Sequence, residues 1–199
     1  MARLAVLASG NGSNFQALVE ALRDDTRRGH ARHECVLLVY DRRGAFAAQR
    51  AAALAVPARH VSYFKRDIEE AEAEIAAALD EANAELVALA GFMRILSPAF
   101  VASQRGRIVN VHPALLPKWP GARSISRAFE AGEREFGVTV HFVDEGMDTG
   151  PTITSASFFA EPGRTLGQIE ARVHAIEHEI YPRAVLSLLD AVDSARGTP

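Results

Sequence analysis

One cysteine in 199 residues, Cys35, leaves no partner for an internal disulfide and no thiolate set for a zinc or iron–sulfur site. Excess positive charge is also missing. Lys and Arg number 22 against 25 Asp and Glu, a net charge of −3 with neutral histidines, and no basic stripe of the kind that tracks nucleic acid is present. A local pocket for one phosphate remains compatible with that balance. No apolar run approaches the ~20 residues of a membrane span. The opening Met-Ala-Arg-Leu-Ala-Val-Leu-Ala-Ser turns polar too soon for the apolar stretch of a secretion signal. Internal repeats, low-complexity linkers and composition shifts are absent, so residues 1–199 are expected to form a single domain. The remainder is ordinary for a globular protein, with 48% hydrophobic and 24% charged residues, enough to bury a sizeable core. These features lead us to expect a soluble protein of the reducing cytoplasm, with neither nucleic acid nor membrane as a partner. No interface pattern indicates an oligomeric state.

Up to about residue 110, short apolar β-type runs alternate with helical patterns. Strands are expected at Leu4–Ala8, Cys35–Tyr40, Pro57–Val61, Leu86–Ala90 and Ile108–Val111. The intervening helices are expected from Asn14 to near Asp24-Asp25, from Ala45 to Ala55, over Asp67–Ala84 and over Pro98–Gln104. This alternation predicts an α/β fold: a Rossmann-like, open, mostly parallel twisted sheet with helices on both faces. After residue 120 the pattern changes. A helix over Ser124–Ala131 precedes two strands, Val138–Val143 and Thr152–Phe158, which form an antiparallel C-terminal hairpin across a Gly/Asp-rich turn. Leu166–Leu189 closes the chain as a helix expected to break or bend near Pro182.

Four constellations could carry chemistry. Asn110 and His112 lie two apart at the end of the fifth strand, so they share a face. That end is the carboxyl edge, where open α/β sheets bind ligands. An amide beside an imidazole there suits polarisation of a carbonyl and movement of a proton; the structural alternative is a histidine that merely satisfies a backbone carbonyl. Gly10-Asn-Gly-Ser-Asn14 joins the first strand to the first helix, where free N–H groups and the positive dipole end suit a phosphate. It lacks the dinucleotide fingerprint, because Phe15 stands where the third glycine belongs, and it lacks a Gly-Lys-Ser/Thr ending. A tight turn with Asn or Ser as N-cap explains it equally well. The third is His141-Phe-Val-Asp-Glu-Gly-Met-Asp148, either solvated hairpin punctuation or a carboxylate held against His112 that raises its pKa and fixes its tautomer. Finally, His174-Ala-Ile-Glu-His178 matches a His-x-x-Glu-His zinc pattern, but no downstream glutamate follows Glu179. Cys35 is remote in the chain and Asp190 and Asp193 are weak substitutes, so no metal is expected.

Five blocks also stand in one order along the chain: Gly10-Asn-Gly-Ser-Asn14, Gly91-Phe-Met-Arg-Ile-Leu-Ser-Pro98, Asn110-Val-His-Pro-Ala-Leu-Leu-Pro-Lys118, Val138–Pro151 ending in Asp148-Thr-Gly-Pro, and Glu177-His-x-Ile-Tyr-Pro182. Together they resemble the glycinamide ribonucleotide formyltransferase family of purine synthesis, over about residues 3–190. The resemblance implies the formyltransferase fold, glycinamide ribonucleotide as acceptor, 10-formyltetrahydrofolate as co-substrate and no metal. It implies a catalytic trio of Asn110, His112 and Asp148, and a substrate site of Gly12, Ser13, Asn14, His174 and Glu177. For the folate it implies Arg66, Met93, Arg94, Ile95, Leu96 and Asn110, together with Asp144, Glu145, Gly146 and Met147. The segment Gly121-Ala-Arg-Ser-Ile-Ser-Arg127 departs from the family's His-x-His, with Arg123 and Ile125 in those places.

In the implied reaction the amine attacks the formyl carbon while Asn110 and a protonated His112 donate to the developing oxyanion. Asp148 favours the imidazolium and relays the amine's proton, through a water, toward the folate leaving group. Three rivals are distinguishable. A formyltetrahydrofolate hydrolase usually adds an N-terminal regulatory domain, whereas this chain opens on its first strand. A methionyl-tRNA formyltransferase needs a further C-terminal domain and a more basic surface. A binding module without activity would not need the trio. Replacing His112 by Ala or Asp148 by Asn is expected to cut turnover ~10²–10³-fold and leave ribonucleotide affinity nearly unchanged. Steady-state kinetics and calorimetric titration check this, and wild-type turnover in either variant contradicts it.

Overall fold

Apolar alternation along the strands decides which helices cover which face. The computed structural model describes residues 1–30 and 32–196. Its elements in chain order are β1 (Arg3–Ala8), α1 (Ser13–Arg27), β2 (Glu34–Tyr40), α2 (Phe46–Ala53), β3 (Ala58–His60), α3 (Ile68–Glu81), β4 (Leu86–Leu89), α4 (Pro98–Ser103), β5 (Ile108–His112), α5 (Ser124–Glu130), β6 (Glu135–Phe142), β7 (Thr152–Phe159) and α6 (Leu166–Arg196). They build one seven-stranded sheet in the order β3-β2-β1-β4-β5-β6-β7. β1 to β5 pair in parallel, and β6 and β7 pair antiparallel at the far edge. The expected α/β class and the antiparallel hairpin are both borne out.

On β1, Leu4, Val6 and Ala8 pack against α1 and α6, whereas Ala5 and Leu7 pack against α3 and α4. The same alternation on β5 puts Val109 and Val111 with α6 and Ile108 with α3 and α4. Asn110 and His112 therefore share the parity of Ile108. β1 lies between β2 and β4, so the chain leaves it in two opposite lateral directions. Loops diverge at such a switch point and open a crevice beyond the strands' carboxyl ends.

Most boundaries shift from expectation, and those of α1 and β6 have a visible cause. α1 starts at Ser13 behind Gly12, which has φ 76° and caps without a side-chain bond, and it runs past Asp24-Asp25 to Arg27 because Leu22 remains buried. β6 starts three residues early. Phe136 and Gly137 pair with Phe158 and Ser157. A side chain on Gly137 would lie 2.4 Å from the Ala156 carbonyl, so the glycine here permits strand contact rather than breaking it.

α6 is one helix of 31 residues that passes through Pro182 and on to Arg196. An interior proline costs a helix ~3 kcal/mol, and here tertiary packing offsets it. Tyr181, Pro182, Ala184, Val185 and Leu189 are all buried. The Tyr181 hydroxyl donates toward the Leu89 and Val109 carbonyls at 3.0 and 3.1 Å. The last turn is held by ion pairs of Asp193 with the N-terminal amine and of Arg196 with Glu85. Among the described residues no helix is long and apolar enough to cross a membrane. Tyr181→Phe removes the only side-chain donor joining α6 to β4 and β5 among these bonds, at an expected ~1 kcal/mol. At this chain length that is a melting temperature lower by about 2–4 °C, measured by calorimetry; an unchanged value contradicts this role for the hydroxyl.

Candidate active site

The antiparallel pairing of β5 with β6 sets Asn110 opposite His141. Asn110 Nδ2 lies 3.2 Å from His141 Nε2, and His141 Nδ1 lies 2.8 Å from the Phe142 carbonyl. A carbonyl only accepts, so His141 Nδ1 carries a proton, and Nε2 is left facing the Asn110 amide. After β6 the chain makes a turn that returns a carboxylate to this ring. Asp144 Oδ1 accepts from Gly146 N at 3.1 Å and Thr149 Oγ1 at 2.7 Å, an Asx-type turn. Gly150 has no room for a side chain, which would stand 1.9 Å from the Phe142 carbonyl. Within this turn Asp148 takes φ 56°, the left-handed region.

Asp148 Oδ2 lies 3.3 Å from His112 Nδ1 and accepts from the Gly121 amide at 2.7 Å, while Oδ1 lies 3.6 Å from His141 Nε2. Burial alone would raise the Asp148 carboxyl, but the His141 ring, the Gly121 amide and the His112 ring together hold it down at about 2. His112 is buried, and its Nε2 faces the Trp119 carbonyl at 2.8 Å. Both ring nitrogens thus face acceptors, an arrangement that suits the imidazolium. The Trp119 carbonyl pulls the ring's pKa upward, and Asp148 does so too, as expected. Burial opposes the expected protonation of His112: it is the larger effect and takes the ring's pKa below the ordinary value of 6.5. The downward shift favours the neutral ring near pH 7, and the two facing acceptors are placed to stabilise an added proton.

A second group lies where α1 meets α6. Asn14 Nδ2 donates to Glu177 Oε2 at 2.9 Å, and His174 Nδ1 meets the same oxygen at 2.9 Å. Glu177 itself is buried. Its carboxylate, the first cause, raises the His174 pKa. Tyr181 stands one helical turn beyond Glu177, so the bond that docks α6 on the sheet also sets the depth of that carboxylate. Gly12 and Ser13 begin α1 immediately beside Asn14. All five residues expected around the ribonucleotide are therefore gathered at one helix start and one face of α6. His174 is engaged with Glu177, and among the described residues no group of three or more His, Cys, Asp or Glu is placed to hold a metal.

The residues expected around the folate divide. Gly91 takes φ 71°, and the strand-end loop is fixed where Met93 N donates to Ser9 Oγ at 2.7 Å. Met93, Ile95 and Met147 are 63%, 76% and 54% exposed, whereas Leu96 turns inward to the core. Gly121 leaves room for Met147, whose sulfur would stand 2.9 Å from any side chain there. Asp144 and Gly146 are used in the turn's own hydrogen bonds, and Glu145 reaches Arg105 at 3.7 Å. Arg94 is tied to buried Asp41 at 2.5 Å and lies over the Tyr63 ring at 5.0 Å. Arg66 pairs with Glu74 at 2.6 Å and Glu70 at 3.8 Å along α3, and none of these bonds joins it to the other residues of this group.

At the departure from the family's His-x-His, Ile125 is buried in the core and Arg123 is an exposed left-handed residue capping α5. Sequence reading missed Ser9, the Trp119 carbonyl and the Gly121 amide, and it named His141 at the head of the third constellation without giving it a role. The register of β6 on β5 supplies that role by bringing it opposite Asn110.

Residues 2–185 match the formyl transferase family. The chain belongs to that family. It is 39% identical over 192 residues to a phosphoribosylglycinamide formyltransferase of Bacillus subtilis, covering 95% of each protein. It is 44% identical over 191 residues to the trifunctional purine biosynthetic protein adenosine-3 of Drosophila melanogaster, covering 94% of this chain but spanning only 14% of that relative. The fold superposes on the crystal structure of glycinamide ribonucleotide transformylase 1 from Geobacillus kaustophilus with a TM-score of 0.86 at 44% identity, covering 95% of this chain and 99% of that one. The family's fold accounts for the sheet order and for the late antiparallel hairpin.

Proposed function

We propose that this chain transfers the formyl group of 10-formyltetrahydrofolate to the amine of glycinamide ribonucleotide. The observation that carries the reading is the convergence of Asn110, His112 and Asp148 at the carboxyl edge of β5, through contacts of 3.2 and 3.3 Å in the His141 and Asp148 network. The residues assigned to the ribonucleotide gather at the start of α1, and exposed Met93, Ile95 and Met147 offer a surface for an apolar ring system. The family supports a formyl group as cargo, and the full-length match to a bacterial phosphoribosylglycinamide formyltransferase supports the acceptor.

The amine nitrogen attacks the formyl carbon, a C–N bond forms, and the carbonyl electron pair moves onto oxygen. Asn110 has a second amide N–H beyond the one directed at His141, and it donates to that oxyanion. His112, its neutral ring favoured near pH 7, takes the proton the amine must lose. The imidazolium so formed donates through Nδ1 to Asp148 and exchanges the Trp119 carbonyl for the reacting atoms at Nε2. Collapse of the intermediate breaks the bond from carbon to N10, and His112 returns the proton to N10. This differs from the sequence-based expectation in giving His112, not Asp148, the proton in transit, because Asp148 stays ionised down to about 2.

Two measurements check the proposal. With 10-formyl-5,8-dideazafolate, folate release is expected only when glycinamide ribonucleotide is present, with formylated nucleotide detected by mass spectrometry. Release without nucleotide indicates a hydrolase, and no release indicates a binding module. In the pH profile of kcat, turnover is expected to fall as pH decreases through a value below 6.5, since a proton acceptor must be unprotonated and burial lowers His112. Turnover that rises on acidification through that range contradicts a neutral His112.

A further inference from the structure

The loop Gly10–Asn14 is held from behind by α2. Ala47 N donates to the Gly10 carbonyl at 3.1 Å. Arg50 Nε donates to the Asn11 carbonyl at 2.9 Å, its Nη2 donates to Asn11 Oδ1 at 2.8 Å, and its Nη1 donates to Gln16 Oε1 in the first turn of α1. The guanidinium rests over the Phe46 ring, 5.0 Å from its centre. Gly12 meets the same helix. A side chain there would stand 2.7 Å from Ala47 Cβ, and its φ of 76° further restricts the position to glycine. Three consecutive loop residues and the first helical turn are thus fixed by two residues of α2, one of them a planar cation that donates from each of its three nitrogens.

We infer that Arg50 is a positioning residue for the phosphate of the acceptor, acting through Asn11 and Gln16. The inference rests on the reading that Gly12, Ser13 and Asn14 hold that phosphate. A backbone N–H cradle binds an anion well only when its amides are already aimed, because ordering a loop on binding costs affinity. A glycine-rich loop is the least ordered segment a chain can offer. Arg50 removes that freedom with a three-pronged fork whose donors lie in one plane. Lysine keeps the charge but is a point donor that cannot bridge three acceptors in fixed directions. The phosphate-loop geometry therefore depends on the arginine's shape as well as its charge, and the dependence is specific to the phosphorylated end of the acceptor.

The test compares R50K and R50Q with the wild-type enzyme, using glycinamide ribonucleotide and its unphosphorylated riboside as acceptors. For the ribonucleotide, both variants are expected to raise KM about 10-fold or more, the loss of one or two charge-assisted hydrogen bonds, with kcat within about 3-fold. For the riboside, kcat/KM is expected to stay within about 2-fold of wild type, as is KM for the formyl donor. A wild-type KM in R50K overturns the inference by reducing Arg50 to its charge. Equal losses with both acceptors, or a parallel fall in kcat and melting temperature, overturn it by making Arg50 a general structural support. If the wild-type enzyme gives no formylated ribonucleotide, the proposed function fails first. If it does and both variants match it, only the role of Arg50 fails.

Discussion

The carboxylate of Asp148 joins parts of the site that are far apart in the chain. It accepts the Gly121 amide, faces His112 Nδ1 at 3.3 Å and lies 3.6 Å from His141 Nε2. Those contacts tie together the end of β5, the strand β6, the loop before α5 and the turn that carries Asp148 itself. A partly buried carboxylate is costly unless its oxygens are paired. Here the pairing holds it ionised down to about 2, so at any ordinary pH it is a fixed negative charge. Because the charge is fixed, a proton arriving on His112 has a favourable place to stay. Because the ring is also buried, that proton is not retained in advance. Desolvation on one side, and the Trp119 carbonyl and Asp148 carboxylate on the other, set how readily His112 accepts a proton.

Around that centre the fold supplies two walls by different means. One is docked from the α6 side: Tyr181 bonds to the carbonyls of β4 and β5, and Glu177 and His174 follow on the same helix. The other is braced from α2, whose Ala47 and Arg50 fix the loop that ends β1. The loops after β1 and β4 leave the sheet at its switch point. Ser9, the residue after β1, links them by accepting Met93 N at 2.7 Å. The loop residues proposed to meet ligands thus follow directly on buried strands, and the remaining proposed contacts sit on β5 and α6 themselves.

Much of this was legible in the residues. Apolar runs of four to six between glycine-marked turns gave away the strands, because a parallel sheet covered on both faces needs nearly continuous apolar sequence. Alternation placed Asn110 and His112 on one face, and the order of five motifs led to Asp148, Asn14 and Glu177. What stayed hidden is what only the fold decides. The partners of Asp148 and His112 include the Gly121 amide and the Trp119 carbonyl, and backbone groups carry no sequence signal. His141 became visible as a member of the network only through the register of β6 on β5. The protonation of His112 followed from its depth of burial, which sequence does not report. Pro182 suggested a break because its local cost is known, yet the buried face around Tyr181 carried the helix through it. Ile125 shows the converse: a position where the family pattern suggested a polar contact is occupied by a core side chain.

The central claim is that burial lowers the pKa of His112 enough to favour the neutral ring at pH 7, and that Asp148, with the Trp119 carbonyl, pulls that pKa upward. Side-chain ¹⁵N NMR of the histidines, titrated in the wild-type protein and in D148N with His112 assigned by its loss in H112A, measures this directly. The wild-type ring is expected to titrate below 6.5, and in D148N lower still, since the opposing carboxylate is gone. A His112 that is charged at pH 7 in the wild type, or whose titration does not move in D148N, would contradict the account.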